Sequence, residues 1–123
     1  MALYPKPTKE GIEEALRLFS KAIELDPNFA APYAAATRCY STRRAFGWET
    51  DLAWETEETR RLIQRATTLG WDDAFVLGLC GFQTFYVLGD VEGGAALLER
   101  ARILNPNLAI LWGGAGLING LPG

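Results

Sequence analysis

The feature that most constrains this chain is the stretch from Glu14 to Pro27, where small and large residues alternate at helical spacing. Ala15, Phe19 and Ala22 stand at positions i, i+4 and i+7, so in a helix they share one face. The two alanines would let a second helix approach closely, and the phenyl ring between them would fill the remaining gap. Pro27 ends the helix, because proline cannot continue it and disfavours helical geometry in the preceding residue. The stretch therefore predicts a helix that packs tightly against another helix.

The same arrangement returns later in the chain, where Gly94, Leu98, Ala101 and Pro106 follow one another at similar spacing. The pattern A-x3-F-x2-A-x4-P resembles the second helix of a tetratricopeptide (TPR) repeat, a helix–turn–helix unit of about 34 residues. The first helix of such a repeat carries large, medium, small and large residues, and here these positions hold Tyr33, Ala36, Thr37 and Tyr40. The resemblance implies an all-α, TPR-like array of helical hairpins, with about six helices in a single domain over residues 1–123.

Local signals place the helices along the chain. We expect them at Lys9–Leu25, at about 29–46, over a stretch ending near Leu69, at Ala74–Leu88, at Val91–Leu104 and at 110–120. Thr8, Asp73 and Asp90 are expected N-caps, because short polar side chains accept hydrogen bonds from the first free amides of a helix. Gly47 and Gly70 are expected in left-handed turn conformations.

One hairpin is longer than the TPR pattern allows. The interval between Tyr40 and Thr59 holds about ten residues more than a regular repeat, so we expect the second and third helices to be extended by roughly a turn each. Trp48 and Trp54 fall in this extension. We expect the two indoles to pack against each other at its tip, with a contact surface for a partner as the alternative.

Both ends of the chain look cut relative to the repeat pattern. The first helix matches the second helix of a repeat, and the last one, over residues 110–120, matches a first helix whose partner is missing. We therefore expect a fragment of a longer protein, or self-association as a homodimer through the apolar terminal helix. The residues expected in that contact are Leu111, Trp112 and Leu117.

Composition argues against several classes of function. The chain has no histidine, which removes the commonest general base and the commonest transition-metal ligand, and it has no phosphate-binding glycine motif after a strand. Its net charge of −3 is opposite to the basic balance typical of nucleic-acid-binding domains. No apolar run reaches the roughly 18 residues of a membrane span. We expect no catalytic residue, no cofactor, no metal, and neither a nucleic-acid nor a membrane partner.

The two cysteines help to predict the cellular compartment in which the chain works. Cys39 and Cys80 lie in apolar helical stretches, and cysteine is among the residues most often buried. We expect two buried free thiols in a reducing compartment, with a disulfide or a metal pair as the alternatives. Because the N-terminus also lacks the apolar core of a signal peptide, the chain is expected to be cytoplasmic.

The TPR resemblance also implies where a partner would bind. In such arrays the first helices of successive repeats line a concave groove. The residues that this implies for the groove are Arg38, Thr42, Phe75, Phe82, Phe85 and Tyr86. An aromatic and aliphatic groove with Arg38 as its main charge suits an amphipathic helix or an extended apolar segment. The alternative is that these aromatic rings pack on a neighbouring helix of the parent protein.

The long hairpin together with Leu69-Gly70-Trp71-Asp72-Asp73-Ala74 resembles the C-terminal TPR region of bacterial multidomain signalling proteins. In those proteins an adenylate cyclase or winged-helix DNA-binding domain precedes the repeats. The resemblance implies a non-catalytic protein–protein interaction module whose partner is a protein, a peptide or an attached domain. An architectural or dimerisation segment, and a small-molecule-sensing groove that regulates an attached domain, remain the alternatives.

Overall fold

The computed structural model describes residues 6–107, and the regular secondary structure in that part of the chain is entirely α-helical. Its five helices are α1 (Lys9–Leu25), α2 (Ala30–Ala45), α3 (Leu52–Leu69), α4 (Ala74–Tyr86) and α5 (Val91–Leu104). The predicted all-α class is confirmed, and no strand occurs within this range. The expected sixth helix, with Leu111, Trp112 and Leu117, lies outside the described residues.

Side-chain caps fix where four of the helices begin. The side chains of Thr8, Asp51, Asp73 and Asp90 each accept a hydrogen bond from a backbone amide in the first turn of α1, α3, α4 and α5. The bounds of α1 and α5 match the predicted ones residue for residue. Helix α4 ends at Tyr86, two residues before the predicted Leu88.

Two of the connecting turns depend on the conformational freedom of glycine. Gly47 and Gly89 adopt φ values of 72° and 69°, in the left-handed region that side chains disfavour. The prediction of a left-handed Gly70 is wrong, because its φ is −107°. Gly70 instead lies at a point of close packing, since a Cβ there would lie only 3.0 Å from the Cβ of Ala30 and 3.1 Å from a methyl group of Val76.

The helices pack in antiparallel fashion on their chain neighbours, and α2 also packs on α4. The core forms where α2, α3 and α4 meet, and its members are Ala30, Tyr33, Ala34, Ala36, Leu62, Ile63, Ala66, Val76, Leu79 and Cys80. Helix α1 has no fully buried residue and contributes half-buried Leu16, Phe19 and Ile23. Helices α2 and α4 are therefore the centre of the described structure, and α1 is attached to its outside.

The small residues predicted to allow close helix approach do so between α4 and α5. A Cβ at Gly94 would lie 2.9 Å from the carbonyl oxygen of Gly81 and 3.1 Å from the Cβ of Phe85. Gly81 is equally crowded, with Leu98 at 2.9 Å from its would-be Cβ. The two helix backbones thus approach each other at a point where neither carries a side chain.

The predicted extension of the α2–α3 hairpin is only partly reflected in helix length. Helices α2 and α3 have 16 and 18 residues, against 13 and 14 for α4 and α5, but α1 already has 17. The expected pairing of Trp48 with Trp54 is not what the ring contacts show. Trp48 stacks on Phe46 with centroids 4.8 Å apart, and Trp54 meets Tyr40 edge-on at 6.3 Å.

Candidate functional site: an apolar groove between α1, α2 and α4

A groove of about 420 Å³ lies along the faces of α1, α2 and α4. Its lining is mostly apolar and consists of Pro7, Ile12, Phe19, Ala35, Arg38, Cys39, Thr42, Phe75 and Leu79. Ile12 and Phe19 come from α1, the residues from Ala35 to Thr42 come from α2, and the last two come from α4. Because α2 and α4 are packed together by the core beneath, the floor of the groove is fixed by the fold.

Arg38 is the one charged residue among these lining residues. Its side chain is exposed, and within residues 6–107 no carboxylate forms an ion pair with it. Thr42, one turn further along α2, donates its hydroxyl hydrogen to the Arg38 carbonyl oxygen at 3.0 Å. The groove therefore combines an apolar surface with a single guanidinium that no acid in the described chain neutralises.

The aromatic and sulfur groups of the groove differ in accessibility. Phe75, near the start of α4, is 49% exposed. Cys39 is buried beneath the surface, and this burial raises the pKa of its thiol to about 11. Burial in the core raises the pKa of the Cys80 thiol further, to about 12. Both cysteines are free and buried, as predicted, and their raised pKa values keep both thiols mostly protonated at neutral pH.

The structure brings together some of the residues predicted for the groove. Arg38, Thr42 and Phe75 line it side by side. Phe82, Phe85 and Tyr86 are not among its lining residues. The Cβ of Phe85 faces the Gly94 backbone of α5, and Tyr86 is half-exposed in the last turn of α4.

Some groove residues were not anticipated from the sequence. Ile12, Phe19 and Leu79 were identifiable only as apolar stripe residues of their helices, since their spacing predicts burial without saying against what. Pro7, just before α1, also reaches the groove. The proximity of α1 to α4 across α2 is a tertiary property, which no local pattern encodes.

A buried ion pair organises the tip of the α2–α3 hairpin. Arg43 Nε and Nη2 donate to the two carboxylate oxygens of Glu55 at 3.0 and 2.8 Å, and the Thr50 amide donates to the same carboxylate at 3.0 Å. Burial alone would raise the pKa of Glu55, but the hydrogen bonds from Arg43 and from the Thr50 amide outweigh it and hold that pKa below its usual value. The pair ties the end of α2 to the start of α3.

Arg44 extends this network to α4. Its guanidinium donates to the Val87 carbonyl at 2.8 Å and to the Thr56 hydroxyl at 2.6 Å. The neighbouring turn uses the left-handed Gly47 to bring Trp48 back over Phe46, and the Trp48 amide donates to the Arg43 carbonyl at 2.7 Å. The Phe46–Trp48 stack is thus held in one position relative to α2 and α4, while Phe46 remains 54% exposed.

A second concavity, of about 390 Å³, lies between α3, α4 and α5. Its charged side chains already have partners: Arg60 pairs with Glu57, Arg100 donates to the Trp71 carbonyl, and Asp90 caps α5. The groove between α1, α2 and α4 differs because Arg38 has no such partner, so we take that groove as the candidate site.

Over residues 6–107, no helix is both long enough and apolar enough to cross a membrane. The same residues contain no group of three or more histidine, cysteine or acidic side chains placed to hold a metal ion. Comparison of the sequence with protein-family models and with curated proteins gives no match. Inferences about function therefore rest on the groove itself.

Proposed function

We propose that this chain is a non-catalytic, TPR-like interaction module that binds a peptide or helix of another protein in the groove between α1, α2 and α4. The proposal includes the setting suggested by the sequence, a cytoplasmic bacterial signalling protein. The observation that carries it is an open groove whose walls are apolar and half-exposed around an arginine without an acidic partner. Clefts of a few hundred Å³ with mainly apolar linings and a few polar groups are typical binding sites.

The packing of the helices supports the repeat interpretation. Helix α2 packs on both its hairpin partner α3 and on α4, which is the first helix of the next expected repeat. In a stacked array, first helices adjoin one another in this way and form the inner surface. The position of Arg38 and Phe75 in the groove agrees with what the TPR resemblance implies for that inner surface.

A selection experiment tests the proposal. The full chain is immobilised and exposed to a phage-displayed library of helical peptides about 16 residues long, and enriched peptides are synthesised and titrated by fluorescence anisotropy. Phe75→Ala should weaken their binding about tenfold, because a half-exposed aromatic ring that lines a binding site can contribute more than 1 kcal/mol.

Phe85→Ala is the matched control. Phe85 is on the same helix and is 48% exposed, close to the 49% of Phe75, but it does not line the groove. It should leave peptide affinity unchanged. If Phe75→Ala binds the enriched peptides as tightly as the wild type, the groove is not the binding site and the proposal fails.

A further inference from the structure

We infer that the groove continues along α2 to the Phe46–Trp48 stack, and that its occupant is an amphipathic helix carrying an acidic side chain opposite Arg38. This inference rests on the proposed function and adds the chemistry of the partner. It combines three observations: the alignment of one stripe on α2, the fixed position of the Phe46–Trp48 stack, of which Phe46 is exposed and Trp48 half-buried, and the lack of an ion-pair partner for Arg38 in residues 6–107.

The alignment follows from helical spacing. Arg38, Thr42 and Phe46 stand at i, i+4 and i+8, so they follow one another along a single face of α2. The first two line the groove, and Phe46 lies one turn beyond its end. From Ala35 to Phe46 this face extends for about 17 Å at 1.5 Å per residue, the length of a partner helix of about three turns.

The aromatic stack is preorganised for contact. Gly47 sets the turn, the Trp48 amide is bound by the Arg43 carbonyl, and the buried pair of Arg43 with Glu55 fixes the hairpin behind it. A partner that docks on Phe46 and Trp48 therefore meets side chains that are already in place. Preorganised groups of this kind lower the entropic cost of binding, and aromatic residues are enriched at the centres of interfaces.

Charge selects the partner. The other arginines with side chains near a groove or hairpin in residues 6–107 are engaged, as Arg43 is with Glu55 and Arg44 is with Val87 and Thr56. Arg38 lines an apolar groove and has no carboxylate paired to it, so an acidic side chain of a bound partner could form an ion pair with its guanidinium. Residues 108–123 carry no acidic side chain, so none of them can supply that acid.

The peptides selected above provide the test. We expect the enriched sequences to share one acidic residue at the flank of an apolar helical face about three turns long. Replacing that acid by its amide, or Arg38 by glutamine, should weaken binding about tenfold, which is a typical effect for a desolvated charge pair. The Arg38→Glu variant should bind a peptide whose acid is changed to lysine better than it binds the original peptide.

The contribution of the Phe46–Trp48 stack is tested with Phe46→Ala and Trp48→Ala, each expected to weaken peptide binding several-fold or more. Trp71→Ala is the control for these, because Trp71 is 61% exposed and lies outside the groove. Arg102→Gln, at an exposed arginine of α5, is the control for Arg38→Gln. Melting curves followed by circular dichroism establish that each variant is folded.

The outcomes separate the two proposals. If Phe75→Ala weakens binding while the variants at Arg38, Phe46 and Trp48 do not, the proposed function stands and this inference is overturned. If sedimentation shows a wild-type dimer that Arg38→Glu dissociates, the occupant is a second copy, and the inferred partner helix is wrong. Loss of binding at Arg38 and at Phe46, with charge-reversed peptides rescuing Arg38→Glu, supports the inference.

Discussion

Arg43 and Glu55 lie opposite each other across the α2–α3 hairpin and form two parallel hydrogen bonds, of 3.0 and 2.8 Å, with their side chains only 8% and 7% exposed. This fork-shaped pairing fixes both the distance and the rotation of one helix relative to the other. The pair is flanked by exposed aromatic rings, so it determines how the tip of the hairpin is presented. Its energetic role leads to the first prediction.

Glu55→Ala should lower the free energy of unfolding by about 3 kcal/mol, because it leaves the buried guanidinium of Arg43 with only the half-exposed carboxylate of Glu13, 4.0 Å away. Urea denaturation followed by circular dichroism measures this change. Glu57→Ala, two residues away on the same helix but in an exposed ion pair, should change stability by no more than about 0.5 kcal/mol. Equal effects of the two substitutions would contradict a structural role for the buried pair.

Replacing both partners should cost less than replacing one. The double variant Arg43→Met/Glu55→Leu removes the charges together and fills the site with apolar groups, so neither charge is left unpaired. We expect it to be more stable than Glu55→Ala. A double variant as unstable as the single one would show that the hairpin depends on the hydrogen bonds themselves rather than on charge balance.

The ion pair should also make stability depend on acidity. The folded-state pKa of Glu55 is lowered, so the unfolded chain takes up the proton first as the pH falls. The contribution is fully present above about pH 4.3, the usual glutamate value, and is lost as the pH falls through the lowered folded pKa. Urea titrations between pH 3 and 6 should therefore show a steeper loss of stability at low pH in the wild type than in Glu55→Gln. Identical slopes would contradict this assignment.

Gly94→Ala should destabilise the chain despite the better helix propensity of alanine. The added methyl group would meet the Gly81 carbonyl at 2.9 Å, and a backbone atom cannot move aside as a flexible side chain can. Overpacking of this kind costs about 1–3 kcal/mol, against a gain of about 1 kcal/mol in propensity. In Gly11→Ala the close atom is the Thr8 hydroxyl, which can turn aside only by giving up its cap bond to the Gly11 amide. The loss of that bond, about 1 kcal/mol, offsets the gain of about 1 kcal/mol in helix propensity, so this control should be nearly neutral. A higher melting temperature for Gly94→Ala would contradict the close approach.

The thiols should react slowly in the folded protein. With a pKa of about 11, roughly one Cys39 thiol in a thousand is ionised at pH 8. The Cys80 thiol, with a pKa of about 12, is ionised to a smaller extent. Iodoacetamide labelling followed by mass spectrometry should be far slower in buffer than in denaturant, and Cys39→Ser and Cys80→Ser identify which thiol reacts. Rapid labelling of Cys39 in the native protein would show that the floor of the groove is more open than described.

The sequence predicted those elements whose signals are local. Thr8 and Pro27 frame α1, and Asp90 and Pro106 frame α5, because caps and prolines act on the backbone within a few residues. Gly70 shows the limit of this reasoning. A glycine after a helix often adopts a left-handed cap, but this one serves the close packing of Ala30 and Val76, which only the fold reveals.

The groove was predictable on one side only. Arg38, Thr42 and Phe75 were implied by the TPR resemblance, and they line the groove from α2 and α4. The part contributed by α1 depends on how that helix crosses its neighbours, which spacing does not specify. The pair of Arg43 and Glu55 was likewise missed, because two residues twelve positions apart on either side of a turn share no periodic signal.

The shallow attachment of α1 has a consequence for how the groove behaves in time. Among the helices of residues 6–107, α1 packs on α2 only, and it buries none of its side chains completely. Its backbone amides should therefore exchange with deuterated solvent sooner than those of α2 and α4, since elements with few buried contacts open locally at low free-energy cost. Because α1 supplies Ile12 and Phe19 to the groove, a partner helix bound there would contact α1 and stabilise it against local opening. Slowed exchange in Lys9–Leu25 upon peptide addition would then report binding without any label on the site.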